Sequence, residues 1–405
     1  MKIKKPRLFA SEFALLLYVF LIPIEDFFLQ DTVGSSSRIA GGVMIILYIL
    51  NRSTIIWTIS TKLFYLYFLW AGISIILWAK NPDYYSIFRL FMWMLTTVVI
   101  ANIVYRNISL LPLVFKVYIL SCLYLVYKAI TNFISDSAYE LNRVDVEGMN
   151  QNLLAAHFLI CIVYLFYNYF KTDNSIKLKI LVIGIIFLFI LGIIATGSRS
   201  VLLSVLVSFL LLSPKNYLRL STIAQVFVIV VIGLVFFKFD NNFTQLLGER
   251  IVEAETDKGS NRIIIWKVAL PMIADNPLTG VGYRNFPSEF ANYLSIASLE
   301  SDERLMLGDR TRAGTHNSFL ESISELGLIG FIFFFGFQYS LAKQLKRNNF
   351  NYSFLLFVML IAINVNALFG DLSNLKYFWL MVAIGFGLLA NSNKMNLLLS
   401  RSKLA

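Results

Sequence analysis

His316, one of two histidines in the chain, stands where a long polar segment ends and a very apolar run begins. Ser318-Phe319-Leu320-Glu321 follows it and fits a capping box, a hydroxyl residue with Glu three positions on, ahead of an apolar helix. With Ser318 as cap, His316 lies two residues outside the helix and faces its positive end. Backbone N–H groups and the macrodipole there favour an anion such as a diphosphate. The same potential suits a neutral imidazole acting as a general base. Glu325 follows Glu321 by four residues on the same face. It lies deeper in the apolar run, where an ionised group needs a partner, expected to be an arginine. Taken alone, His316 also reads as a polar interfacial residue and Glu321 as a cap.

Arginines are the second group that can do chemistry. Arg199 lies in Thr196-Gly197-Ser198-Arg199-Ser200, the whole connection between two apolar runs, and Arg38 begins another short run. A guanidinium sunk there either snorkels to the headgroups or takes a phosphate or carboxylate partner. Arg262 opens an amphipathic segment, and Arg284, Arg310 and Arg312 lie in polar loops. His157, among Ala156, Phe158 and Leu159, reads as a hydrogen-bonded core residue. Two histidines and no external cysteine disfavour a zinc site. Asp145 and Glu147 offer a divalent-cation alternative but read as solvated loop acids, so no metal and no cofactor are expected. No nucleophile elbow is present.

The elements that must position these residues are membrane helices. Of 405 residues 58% are hydrophobic, with 36 Phe and 20 Tyr, against about 45–50% apolar in a soluble domain. The net charge of +11 lies between apolar runs rather than on one surface, which argues for a bilayer and against nucleic acid. Cys122 and Cys161 both sit in apolar runs, so no disulfide framework is indicated. The N-terminal basic run precedes a retained first helix, since no small-residue cleavage site follows.

Spans are expected at 8–25, 37–50, 63–79, 86–104, 110–130, 151–170, 178–196, 200–213, 220–239, 317–341, 353–370 and 375–390. The expected fold is an all-α polytopic membrane protein of about 12 transmembrane helices with a large helical external segment between helices 9 and 10. Its domains are 1–239 (helices 1–9), 240–316 (external) and 317–405 (helices 10–12). Eighteen basic residues fall on one side of these spans, against five in the short loops opposite: Arg38, Lys80, Arg143, Arg199 and Lys376. By the positive-inside rule both termini are cytoplasmic and 240–316 faces the periplasm or cell exterior. Within it, an Asn261-capped helix from Arg262 and a second from Pro287, with Phe290, Tyr293, Leu294 and Ala297 on one stripe, flank the turn-rich loop 276–286. Gly280-Val281-Gly282 is a turn, without the strand a dinucleotide fingerprint requires.

Thr196-Gly197-Ser198-Arg199-Ser200, Asn261-Arg262-Ile263-Ile264-Ile265-Trp266, Asn276-Pro277-Leu278-Thr279-Gly280-Val281-Gly282 and His316-Asn317-Ser318-Phe319-Leu320-Glu321, followed by Leu326-Gly327-Leu328-Ile329-Gly330, resemble the bacterial O-antigen ligase and polymerase family. The signature covers roughly 178–341; Asn150-Gln151-Asn152 at the start of the sixth span is a weaker match. The resemblance implies a fold similar to the GT-C-type glycosyltransferases and a metal-independent, inverting transfer in the bacterial inner membrane. The donor would be an undecaprenyl-diphosphate-linked glycan, and the acceptor a glycan or lipid A core. On this reading His316 is the catalytic base and Arg199 and Arg262 clamp the diphosphate, with Arg38, Arg284, Arg312 and Glu325 as secondary contacts. Ligase and polymerase stay unseparated. The rivals are a lipid-linked oligosaccharide flippase, disfavoured by charges concentrated on the outer side and by the lack of an inverted repeat, and a membrane scaffold.

Overall fold

The computed structural model describes residues 9–25, 36–51, 59–134, 146, 149–171, 175–213, 262–307, 311–350, 352–373 and 375–402. Among them the chain is helical, with one isolated β-bridge between Val146 and Met149. The helices are α1 (Ala10–Leu21), α2 (Ser36–Leu50), α3 (Ile59–Leu77), α4 (Tyr84–Arg106), α5 (Leu111–Ile134), α6 (Gln151–Lys171), α7 (Ile176–Thr196) and α8 (Arg199–Leu212). Then follow α9 (Arg262–Asp275), α10 (Phe286–Ile296), α11 (Ser301–Leu307), α12 (Ser318–Arg347), α13 (Ser353–Asn366) and α14 (Lys376–Ser402). The ninth expected span, 220–239, lies outside the described residues, as do Arg143, Asp145, Glu147, Asn261 and Arg310.

Among the described residues, five helices are long and apolar enough to cross a membrane: Tyr84–Arg106, Ile108–Asn132, Gln151–Tyr169, Ile176–Thr196 and Ser318–Arg347. Ala10–Leu21, Ser36–Leu50, Thr61–Leu77, Arg199–Leu212 and Ser353–Phe369 are shorter apolar helices. At 14 residues and 1.5 Å rise per residue, α8 is about 21 Å long. Only Gly197 and Ser198 separate it from α7. Gly197 closes α7 in the left-handed region at φ 66°, a conformation glycine adopts without penalty.

Lipid chains are as apolar as leucine, so helices in a bilayer are held together by packing and hydrogen bonds. Here α3, α12 and α14 meet through tilted and edge-on rings: Tyr67 with Phe334 at 4.8 Å, Phe68 with Trp379 at 5.2 Å, and Phe64 with Phe337 at 5.8 Å. A second, smaller core forms between α9 and α10 from Ile264, Ile265, Val268 and Met272 against Val281, Phe286, Phe290 and Tyr293. The stripe expected on the helix from Pro287 packs into this core. That helix starts at Phe286, with Asn285 as its N-cap residue and Pro287 one position further in than expected.

The helix expected over 317–341 differs in two ways. It runs to Arg347, and it is broken at Gly327, whose φ 64° and ψ −172° are not helical. A break inside an apolar helix frees carbonyls and amides that must find partners within the protein. The turn-rich loop supplies them. Val281 N–H donates to the Ser324 carbonyl at 3.0 Å and Gly282 N–H to the Glu325 carbonyl at 2.8 Å. In return Leu328 N–H donates to the Pro277 carbonyl at 2.8 Å. Trp70 Nε1 donates to the Leu326 carbonyl at 3.0 Å. The two backbones touch so closely that a Cβ on Gly327 would lie 2.2 Å from Leu278, and one on Gly280, at φ 68°, would lie 2.3 Å from Glu325. The glycine motifs near 280 and 327 are therefore two halves of one joint.

Candidate active site

Asn317, not Ser318, caps α12: its side chain accepts from Phe319 N–H at 2.9 Å and Leu320 N–H at 3.1 Å. Ser318 is the first helical residue and does something else. Its Oγ donates to the Gly370 carbonyl at 2.6 Å and accepts from Leu372 N–H at 2.7 Å. These two bonds pin the link between α13 and α14 to the start of α12. His316 consequently sits one residue outside the helix, exposed, with φ 48°. A non-glycine residue held in the left-handed region is uncommon and marks a locally enforced conformation. Part of that enforcement comes from α9, since Trp266 Nε1 donates to the Thr315 carbonyl at 2.9 Å. The Thr315 hydroxyl donates to the Asn317 carbonyl at 3.1 Å.

The pinned link carries Asp371. Its carboxyl is hydrogen-bonded to Glu321 and lies within electrostatic reach of His316 and Arg284. Burial raises the Asp371 carboxyl above its ordinary range, against the lowering influence of His316, the Glu321 hydrogen bond and Arg284. Asp371 Oδ1 is buried and accepts no hydrogen bond. Glu321 is therefore no cap: with Asn317 in that role it is the fourth helical residue, and it faces Asp371.

Glu325 is buried; its hydrogen bonds come from backbone amides, and the Arg284 guanidinium lies within electrostatic reach of its carboxyl. Arg284 N–H donates to Oε2 at 2.7 Å and Phe286 N–H to Oε1 at 3.3 Å. Its carboxyl thus holds the 280–286 loop, in which Arg284 itself has φ 60°. Tyr283, whose N–H donates to Ser74 Oγ at 3.0 Å, has its phenol pushed up to about 12 by burial. Lys80 fixes the far side of the loop through Glu289 at 2.9 Å.

The other expected site residues are distributed as follows. Arg262 opens α9 with its guanidinium 5.8 Å from the ring centre of Phe369, two residues before Asp371. Arg199 is the exposed first residue of α8. Beside it Ser198 Oγ donates to Asn152 Oδ1 at 2.9 Å, joining the Thr196–Ser200 turn to the start of α6. Arg38 and Arg312 are exposed, and Arg38 Nη1 donates to the Tyr85 hydroxyl at 3.1 Å. His157 is a core residue with Nδ1 2.6 Å from the Tyr118 hydroxyl. The convergence on the His316 segment is made by Trp266, Glu321 and Asp371. Sequence reasoning missed Asp371, whose signal was an acid between two apolar runs. It also missed Trp266 as anything beyond an amphipathic-helix residue.

Fold and site together define a helical protein, with helices long and apolar enough to cross a membrane and a polar cluster built where α9 meets the start of α12. Residues 184–335, from within α7 to within α12, match the family model described as O-antigen ligase. That match supports the O-antigen ligase and polymerase family to which the sequence motifs pointed, and with it a membrane enzyme of the ligase or polymerase type. Among curated proteins no match is found.

Proposed function

We propose that the protein is an inverting glycosyltransferase of the bacterial cytoplasmic membrane that moves a glycan from undecaprenyl diphosphate onto an acceptor sugar. The supporting observation is the meeting of motifs far apart in sequence: Trp266 of the second holds the residue before His316, and the 276–282 loop is hydrogen-bonded into the break of α12. About twelve spans, cytoplasmic termini and a periplasmic or external site belong to the same reading, as do the three domains 1–239, 240–316 and 317–405.

In the proposed reaction the acceptor hydroxyl attacks the anomeric carbon as its proton passes to the imidazole of His316. The bond from that carbon to the diphosphate oxygen breaks, and undecaprenyl diphosphate leaves with the electron pair. Attack opposite the leaving group inverts the anomeric centre. Asp371 is a positioning residue: its negative end favours the imidazolium that forms. Arg262 and Arg199 take the growing charge of the diphosphate, since guanidinium forks match phosphate oxygens and act strongly where water is scarce. The chemistry then proceeds without a metal ion.

The test is to incubate the purified protein with a lipid-linked donor, with and without a lipid A core acceptor, in the presence and absence of EDTA. Elongated chains identify a polymerase and a single capped transfer a ligase; a protein that moves the donor across vesicles without any product is a transporter instead. Equal rates with EDTA are expected, and loss would direct attention to Asp145 and Glu147.

A further inference from the structure

Arg89 lies within the apolar run of the fourth helix, yet its guanidinium stands at that helix's first turns among other cations. It sits 5.5 Å from the ring centre of Tyr85, and Nη2 donates to Ser86 Oγ at 3.0 Å. The Tyr85 hydroxyl accepts Arg38 Nη1 from α2. Arg284, from the 280–286 loop, lies within electrostatic reach of Arg89. Two elements thus bring the guanidiniums of Arg38 and Arg89 to one tyrosine, with Arg284 of a third within electrostatic reach of Arg89. One carboxylate, Asp83, stands 3.9 Å from Arg89 and within electrostatic reach of Arg284; it accepts from Ser86 Oγ at 2.6 Å and Tyr85 N–H at 3.1 Å. Glu321, Glu325 and Asp371 engage Arg284 from the other side. Arg89 Nε is buried and makes no hydrogen bond.

We propose that Arg38, Arg89 and Arg284 form a subsite for an anionic group, a phosphate or carboxylate, carried on a sugar of the acceptor. Arg38 and Arg89 meet at Tyr85 with Arg89 Nε left without a hydrogen bond, and the planar donor forks of arginine suit both groups. Tyr84, Tyr85 and Phe88 beside the patch are 66%, 51% and 56% exposed, offering apolar ring faces of the kind on which sugar rings stack. An interfacial aromatic belt accounts for the rings; it does not account for the arginines. Arg284 ties this patch to the Glu321 and Asp371 carboxyls, whereas Arg262 approaches Asp371 by way of Phe369. Anions on the two arginine sets therefore approach His316 from different elements, as acceptor and donor must. The assignment of the patch to the acceptor rests on the glycosyl-transfer reading.

The experiment measures binding without turnover. Wild-type protein in lipid nanodiscs is titrated with a phosphorylated core oligosaccharide and with the same oligosaccharide after phosphatase treatment. The phosphorylated probe is expected to bind about tenfold more tightly, the range of a charge-assisted contact. Arg89→Ala and, separately, the exposed-site variant Arg38→Ala erase most of that preference. Arg89→Lys restores part of it, because an ammonium lacks the fork. Lys343→Ala, at the other end of α12, leaves it intact. Equal affinities of the two probes for the wild type, or a preference that survives in both alanine variants, overturn the subsite. A preference that behaves as expected in a protein that transfers no glycan would keep the anion site and refute the enzyme reading separately.

Discussion

The two halves of α12 differ in what holds them. From Ser318 to Leu326 the buried residues are Ser318, Ser322, Ser324, Glu325 and Leu326; beyond Gly327 they are Gly330, Phe334, Phe337, Gln338, Leu341 and Leu345. The second half is fixed by rings and branched chains from α3 and α14, which tolerate small shifts because dispersion is non-directional. The first half is fixed by directional bonds from segments remote in sequence: 277–286, 370–372 and Trp70. The proposed chemistry falls in the half whose position depends on hydrogen-bond geometry. The break at Gly327 permits this, since it lets the polar half leave the register of the apolar half while the loop satisfies the freed backbone groups.

The comparison can be broken most severely at the joint. Gly327→Ala combines a left-handed backbone with a Cβ placed 2.2 Å from the Leu278 backbone, and should cost about 3 kcal/mol or more. Gly336→Ala in the apolar half, where the added Cβ meets Leu63 Cδ1 at an ordinary 3.7 Å, should be neutral or stabilising by up to about 1 kcal/mol. Thermal unfolding of the detergent-purified variants checks both, and equal effects would erase the distinction between the halves.

Glu325→Gln keeps the shape but replaces one of the two carboxyl oxygens that accept the loop amides with an NH2 donor. A loss of about 1–2 kcal/mol is expected, with faster amide hydrogen exchange in 280–286. Trp266→Phe removes one hydrogen bond to Thr315 and should cost about 1 kcal/mol or less in stability. Its effect should show as a loss in kcat of about tenfold with an unchanged acceptor KM, because it releases His316 rather than a binding surface.

The smallest effect is on pH dependence. Burial raises the Asp371 carboxyl in the folded state above its ordinary value of 3.8, so the folded protein binds a proton that the unfolded chain has released. Its contribution to stability is fully present below 3.8 and is lost as pH rises through the folded-state value. Asp371→Asn should flatten that segment of the stability profile; an unchanged slope would mean that Asp371 is not the group titrating.

Much of this was legible beforehand because hydrophobic runs and punctuation are local signals. The helices from 36 to 212, the Gly197 turn and the helices from Arg262 and Phe286 follow from runs of apolar residues bounded by Gly, Pro and polar caps. The cap of α12 was misplaced by one position because Asn317 and Ser318 are both good caps, and the choice was made by Gly370 and Leu372, which no local pattern reveals. The break at Gly327 was hidden for a related reason: a lone glycine in an apolar run is common, and its φ is set by a loop about fifty residues away in sequence. Arg262 and His316 stood out by their places beside helix starts. Asp371 and Arg89 did not, since each acquires its importance only from the elements packed against it.

The most direct test of the central claim is glycan transfer from a purified undecaprenyl-diphosphate-linked donor by His316→Ala. His316 is exposed and precedes the cap, so the variant should fold with wild-type stability. Transfer should fall by a factor of about 100 or more, the range of general-base catalysis. A folded His316→Ala protein that transfers glycan at the wild-type rate would contradict the account.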